Sequence, residues 1–172
     1  MTQPSKQTLS DDSLRTVFVE QLTILYNAKT NLIENLPRLV EQCTFQNLKS
    51  ALREDLEDSK TQMATLKEIF KLMAASWETE KCLGVDAMIR EALQQVSYKQ
   101  DNHYESDMSI LFYLSAIQNM QVGACKILHL LAKKIAYQPY AQLVLECLDI
   151  SRDNSKLIQY VAGEYFDIAP DA

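Results

Sequence analysis

Gln118 and Gln121 sit where a helix should be apolar. Leu111, Leu114, Cys125, Leu128, Ala132 and Ile135 recur three and four residues apart, so they share one helix face, and the two amides fall on that same stripe. Three other long helical stretches break in the same way near their midpoints, at Lys29, at Glu57 with Lys60, and at Ser151 with Asn154. Four helices interrupted at one level imply a polar layer across the middle of a bundle, where such folds build metal centres. The residue types argue against a metal. A protonated lysine has no lone pair to donate, and glutamine or asparagine amides are weak neutral ligands. Amides buried there must find partners or cost about 1–3 kcal/mol each. The competing reading is that Lys29 and Lys60 run their stems along the core and leave their ammonium groups in water.

Other chemistry-bearing residues are sparse. His129 lies near the apolar stripe with Lys126 and Lys133 as helical neighbours, and a lone histidine so placed reads as a packed or surface residue rather than a metal or haem ligand. The run from Asp101 to Asp107 has oxygen and nitrogen donors enough for an adventitious cation, but no glycine supports a calcium loop there. With only His103 and His129 in the chain, no Ser-His-Asp or Cys-His arrangement can be assigned, and no Gly-rich phosphate loop is present. Cys43, Cys82, Cys125 and Cys147 lack zinc or redox spacing and are expected to be buried reduced thiols.

The elements that must carry the polar layer are helices. The chain has 172 residues, 47% of them hydrophobic, with only three glycines and four prolines, which suits one all-α domain with a sizeable core. A net charge of −6 provides no basic field for nucleic acid or an anionic membrane surface. No stretch has the roughly 20 apolar residues of a membrane span, and the polar start lacks a signal-peptide core, so a cytoplasmic protein is expected. Residues 1–10 are expected to form a tail, 11–168 a single helical domain, and 169–172 a second tail. The first stripe runs from Leu14 to Val40 across Pro37, which should bend the helix. Thr44 is a candidate cap for a second helix starting at Phe45, with Leu48, Leu52, Leu56, Met63 and Leu66 inward and Arg53, Glu54, Asp55 and Lys67 on a solvated face. Trp77 to Gly84 reads as a connection, and Val85 to Val96 as a short helix within a long crossover. Tyr98 to Ser106 reads as exposed chain, after which Ser106 or Asp107 caps a long helix from Met108 to about Ala136. Pro139 opens the last helix, which continues to about Phe166.

Tyr26-Asn27-Ala28, the Leu36-Pro37 bend, Leu56-Glu57, the segment from Cys82 to Ala92 and the stretch from Leu131 to Leu148 resemble the ferritin-like YciE/YciF family over nearly all of residues 14–162. The resemblance implies a ferritin-like four-helix bundle with an additional short helix in the long crossover. It also implies a link to bacterial stress responses and a centre of carboxylates and histidines in the manner of di-iron proteins. Carried over position by position, that centre is rewritten here. A family glutamate aligns with Lys29, a Glu-x-x-His pair becomes Glu57 and Lys60, and a Glu-His-x-Glu run becomes Gln118-Asn119-Met120-Gln121. A terminal acidic run becomes Leu148-Asp149-Ile150-Ser151-Arg152. A di-iron centre needs anionic ligands to offset four positive charges in a low-dielectric interior. The expectation is therefore a vestigial centre of Lys29, Glu57, Lys60, Gln118, Gln121, Asp149 and Ser151 that binds no metal or other cofactor. In it Lys29 and Lys60 replace the metal's charge, paired with Glu57 and with Asp149 or Asp153. The protein is expected to be non-catalytic and to act through its surface as a homo-oligomer, a dimer in the simplest case, or in a stress-related assembly. The alternative is a metal-binding oxidase or iron-handling protein with a partial site at Glu57 and Asp149. A helical ligand-binding module is a third class, and would need a cavity in place of the filled layer.

Overall fold

The computed structural model describes residues 10–77, 83–99, 101–135 and 138–168. Within them the chain forms five helices: α1 Asp11–Gln42, α2 Gln46–Leu72, α3 Leu83–Tyr98, α4 His103–Lys134 and α5 Gln138–Tyr165. Helix α1 packs on α2 and α4, and α5 packs on α2 and α4, which closes a four-helix ring. The short α3 lies in the crossover between α2 and α4 and rests on α1 and α4. This is the all-α bundle with a crossover helix that the periodicities imply. No described helix is long and apolar enough to cross a membrane. Both expected tails beyond Ser10 and Ile168 lie outside the described residues, as does Cys82.

Several helix ends differ from the sequence expectation, each for a local reason. Ser10, at the boundary between the expected tail and the helical domain, is the N-cap of α1 and accepts from the Ser13 backbone N–H, with Asp11 and Asp12 adding negative charge at the positive end of the helix. At Pro37 the helix does not restart, in keeping with the apolar spacing that continues past it: α1 runs on to Gln42, with Leu36 and Leu39 buried on either side. Helix α4 starts at His103, five residues before Met108, because the Asn102 side chain accepts from the Glu105 N–H and caps it. Asp107, expected to cap its own helix, serves another one. Its buried carboxylate accepts from Thr44 N at 3.0 Å, Thr44 Oγ1 at 2.6 Å and Phe45 N at 2.8 Å, so it caps the start of α2 from across the bundle. Thr44 therefore donates to a cap and is not one itself. The end of α2 closes without a glycine: Ala74 takes a positive φ of 49°, and Ala75 N donates to Phe70 O.

The core is in two parts. Phe18, Leu22, Leu66, Phe70, Cys125 and Val144 belong to one cluster, and Leu32, Leu36, Leu52, Ile89, Leu114 and Ile158 to the other. The first draws on the start of α1, the end of α2, the end of α4 and the start of α5; the second draws on the opposite halves and α3. Between them lies the polar layer.

Candidate functional site

The layer is built by strict helical spacing. On α2 the buried face runs Leu48, Ala51, Leu52, Asp55, Ser59, Gln62, Leu66, Ile69 and Phe70. On α5 buried positions run Val144, Cys147, Ser151, Asn154, Ile158 and Val161. Steps of three and four carry each stripe through its polar midsection, so side chains at 55, 59, 62, 151 and 154 point where leucines would otherwise be. Helix α1 contributes Lys29, only 1% exposed, and α4 contributes Gln118 and Gln121, both fully buried.

Asp55 is the hub. Its Oδ2 accepts from Gln118 Nε2 at 2.6 Å, and its Oδ1 accepts from Asn154 Nδ2 at 3.2 Å and Ser59 Oγ at 3.4 Å. Four helices meet through this carboxylate, because Lys29 of α1 is the opposite charge that interacts with it. A second group of bonds closes the layer towards α5: Gln62 Nε2 donates to Cys147 O at 2.7 Å and to Ser151 Oγ at 2.8 Å. Cys125 Sγ lies 3.9 Å from Ser151 Oγ. Lys29 Nζ, both amide atoms of Gln121, and the Oε1 atoms of Gln62 and Gln118 are buried without a direct hydrogen bond among the described residues.

Burial and charge pull against each other across this layer. Loss of hydration pushes the Lys29 pKa below 10.5, while the Asp55 charge pulls it back up. Burial raises the Asp55 carboxyl, and Lys29 and the Gln118 amide oppose that rise. Three donors converge on Asp55, while Lys29 acts on it only through its charge and without a direct bond, so burial prevails and shifts both groups away from their ionised forms. Burial also pushes the Cys147 thiol up to about 12 and raises Cys125, which leaves both as inert packing groups.

The sequence-derived centre is thus corrected at three of its seven residues. Glu57 and Lys60 lie on the outer face of α2, their side chains 70% and 50% exposed, joined to each other at 2.6 Å. Asp149 is on the outer face of α5, paired with Arg152 at 3.1 Å, and Asp153 is also exposed. None of these four reaches the layer. The physical reason is register: 57 and 60 fall on the solvent side of the face set by 52, 55, 59, 62 and 66, and 149 and 153 fall beside the face set by 147, 151 and 154. Asp55, read as solvated, is the buried acid, and Ser59 and Gln62 were missed altogether. The signal that finds them is spacing alone, continued through polar positions. Leu56 and Met63, taken as inward, are half-buried neighbours of the true stripe. A partial metal site at Glu57 and Asp149 has no geometric basis, since each faces solvent in an ion pair within its own helix. His129 instead places Nδ1 3.0 Å from Ala141 O, tying α4 to α5.

The donor set does not fit the di-metal centre of the ferritin-like resemblance. One carboxylate, one ammonium, four carboxamides and two hydroxyls face one another, and an ammonium adds positive charge where a metal requires negative. Among the described residues no group of three His, Cys, Asp or Glu side chains is placed to hold a metal ion.

Comparison with known proteins agrees with this architecture. Protein YciF of Escherichia coli K12 is 20% identical over 138 residues, spanning 80% of this chain and 82% of that protein. The crystal structure of the E. coli stress protein YciF superposes with a TM-score of 0.84 at 18% identity, covering 90% of this chain and 97% of that one. YcfI from Rhodopseudomonas palustris superposes with a TM-score of 0.78, also at 18% identity, over 91% and 97% of the two chains. A family model described as a domain of unknown function, DUF892, matches residues 13–167, and the chain therefore belongs to that family.

Proposed function

We propose that this protein is a non-catalytic, ferritin-like helical bundle in which a lysine–aspartate pair and its amide network occupy the place of a di-metal centre, and that it acts through its surface in a stress-related role. The observation that carries this reading is the composition of the layer: Asp55 is its one carboxylate, Lys29 lies opposite, and no imidazole is present. The positive charge that a metal would bring is already built into the chain. The stress-related part rests on the E. coli relative, a protein described as a stress protein. A cytoplasmic location and a homo-oligomeric state belong to the same reading.

Elemental analysis of protein purified without chelators tests it. Iron, manganese and zinc well below one equivalent per chain are expected, with no change after growth in metal-supplemented medium. Near-stoichiometric metal that Asp55→Asn removes would overturn the reading and restore a metal-handling role.

A further inference from the structure

Part of the polar layer is not satisfied by the layer itself. Lys29 Nζ, Gln62 Oε1, Gln118 Oε1 and both amide atoms of Gln121 make no direct hydrogen bond among the described residues, and the four side chains that carry them are at most 1% exposed. Buried polar atoms in folded proteins almost always have a partner, either in the protein or in ordered water. Turning the amides over does not help two of them. Gln62 Nε2 is held by Cys147 O and Ser151 Oγ, and Gln118 Nε2 by Asp55, so both Oε1 atoms are fixed as the free ends. Gln121 follows Gln118 on the inward face of α4 and precedes Cys125, whose Sγ lies 3.9 Å from the Ser151 hydroxyl that Gln62 holds. Lys29 enters from α1 within electrostatic reach of Asp55. The unpartnered atoms of three helices thus share one level of the bundle, sealed on one side by Leu25, Leu66 and Cys125 and on the other by Leu32, Leu52 and Leu114.

We propose that this level is a binding site for a small enclosed cluster of water molecules, which joins Lys29 Nζ and Gln121 Nε2 to the free carboxamide oxygens of Gln62, Gln118 and Gln121. The atoms themselves select the ligand. The three oxygens only accept and the two nitrogens only donate. An anion has no hydrogen to offer the oxygens, and a metal cation accepts nothing from the nitrogens and would meet the Lys29 amino group. An apolar molecule would satisfy none of the five. Water both donates and accepts, and a polar enclosure with several partners is where buried water is held. Bound there, it supplies the link that protein atoms do not make, from Lys29 on α1 to the Gln118 amide that holds Asp55 and to Gln62 on α2. The proposal rests on the reading that this layer stands in place of a metal centre and deepens it: an amino group with its waters, not a cation with its ligands, occupies the middle of the bundle.

Diffraction from crystals of the full chain, with and without a bromide soak, is the test, together with magnetic relaxation dispersion of the solvent to count enclosed waters in solution. Density is expected about 2.7–3.2 Å from Lys29 Nζ and from the Gln62 and Gln118 Oε1 atoms, with no anomalous signal from bromide or a transition metal. Gln121→Leu removes two of the five atoms and should lose about one long-lived water or more, whereas Lys60→Met on the outer face of α2 should lose none. No density beside Lys29 Nζ, a bromide signal in the layer, or a water count that Gln121→Leu leaves unchanged overturns the proposal. If Gln121→Leu does not fold, diffraction from the parent chain decides alone. The two readings fail differently: a transition-metal signal in the layer overturns both, and a layer with neither water nor metal overturns only this one.

Discussion

At the scale of single residues, the layer separates groups that hold Asp55 from groups that merely share its burial. Gln118 donates to Asp55 at 2.6 Å, whereas Gln121, one turn further along α4, makes no direct bond with either amide atom. Gln118→Leu should therefore destabilise by about 1–3 kcal/mol, since a buried carboxylate loses a donor. Gln121→Leu should be neutral or stabilising, because it removes buried polarity that has no direct partner. Equal losses on chemical unfolding would show that the hydrogen bonds do not divide as described. Lys29 and Asp55 interact through charge without a direct bond: Lys29→Met removes the opposite charge that Asp55 faces but also a buried ammonium lacking a hydrogen bond, so it should cost less than the about 3–5 kcal/mol of a broken contact pair. Lys29→Met with Asp55→Asn should cost clearly less than the two single changes added together. The pH dependence follows from the lowered Lys29 pKa. Just below 10.5 the unfolded chain still holds this proton while the folded chain has released it, so the Lys29 contribution to stability rises with pH through that interval. The stability difference between parent and Lys29→Met should accordingly drift in favour of the parent as pH climbs towards 10.5. A difference that is flat over this interval would mean the lysine is not desolvated.

At the scale of elements, the helices and their inward faces were legible, and register within a polar stretch was not. Gln118, Gln121, Lys29, Ser151 and Asn154 were recognisable because each interrupts an apolar run on both sides. On α2, residues 55 to 62 include Asp55, Glu57, Asp58, Ser59, Lys60 and Gln62, and hydropathy cannot choose among them. Only the three-and-four spacing carried in from Leu52 and out to Leu66 can. Asp107 was legible as a cap but not as the cap of α2, because its partner there lies 63 residues away in sequence. Helix α2 has no acid in its first turn and no side-chain cap from Phe45, so the Asp107 carboxylate, which binds Thr44 N and Phe45 N just ahead of Gln46, is the negative charge that fixes its start. Asp107→Ala should cost about 2 kcal/mol, the upper range for a lost cap, and hydrogen exchange should speed first at the start of α2. An effect confined to the first turn of α4 would assign the residue to its own helix after all.

At the scale of the whole molecule, the polar layer divides a core that would otherwise be continuous, and its value lies in specification rather than strength. The two apolar clusters are built from the same kinds of residue on the same four long helices, with α3 added to the second. A bundle with uniform stripes could shift one helix by a turn and bury almost as much surface. Asp55 forbids that shift, because its partners on α1, α4 and α5 are single side chains at fixed heights. Buried ion pairs seldom outperform well-packed apolar groups of similar volume, since desolvation consumes most of their attraction. Replacing the layer together, with Lys29→Met, Asp55→Leu, Gln62→Leu, Gln118→Leu and Asn154→Leu, should thus raise stability by about 1–4 kcal/mol although Lys29→Met alone lowers it. The same variant should show narrower NMR dispersion and a weaker near-ultraviolet signal, the marks of helices no longer locked in one register. A layer-replaced protein that is less stable than its parent would mean that the network contributes net binding energy to the fold, and the specification argument would have to be given up.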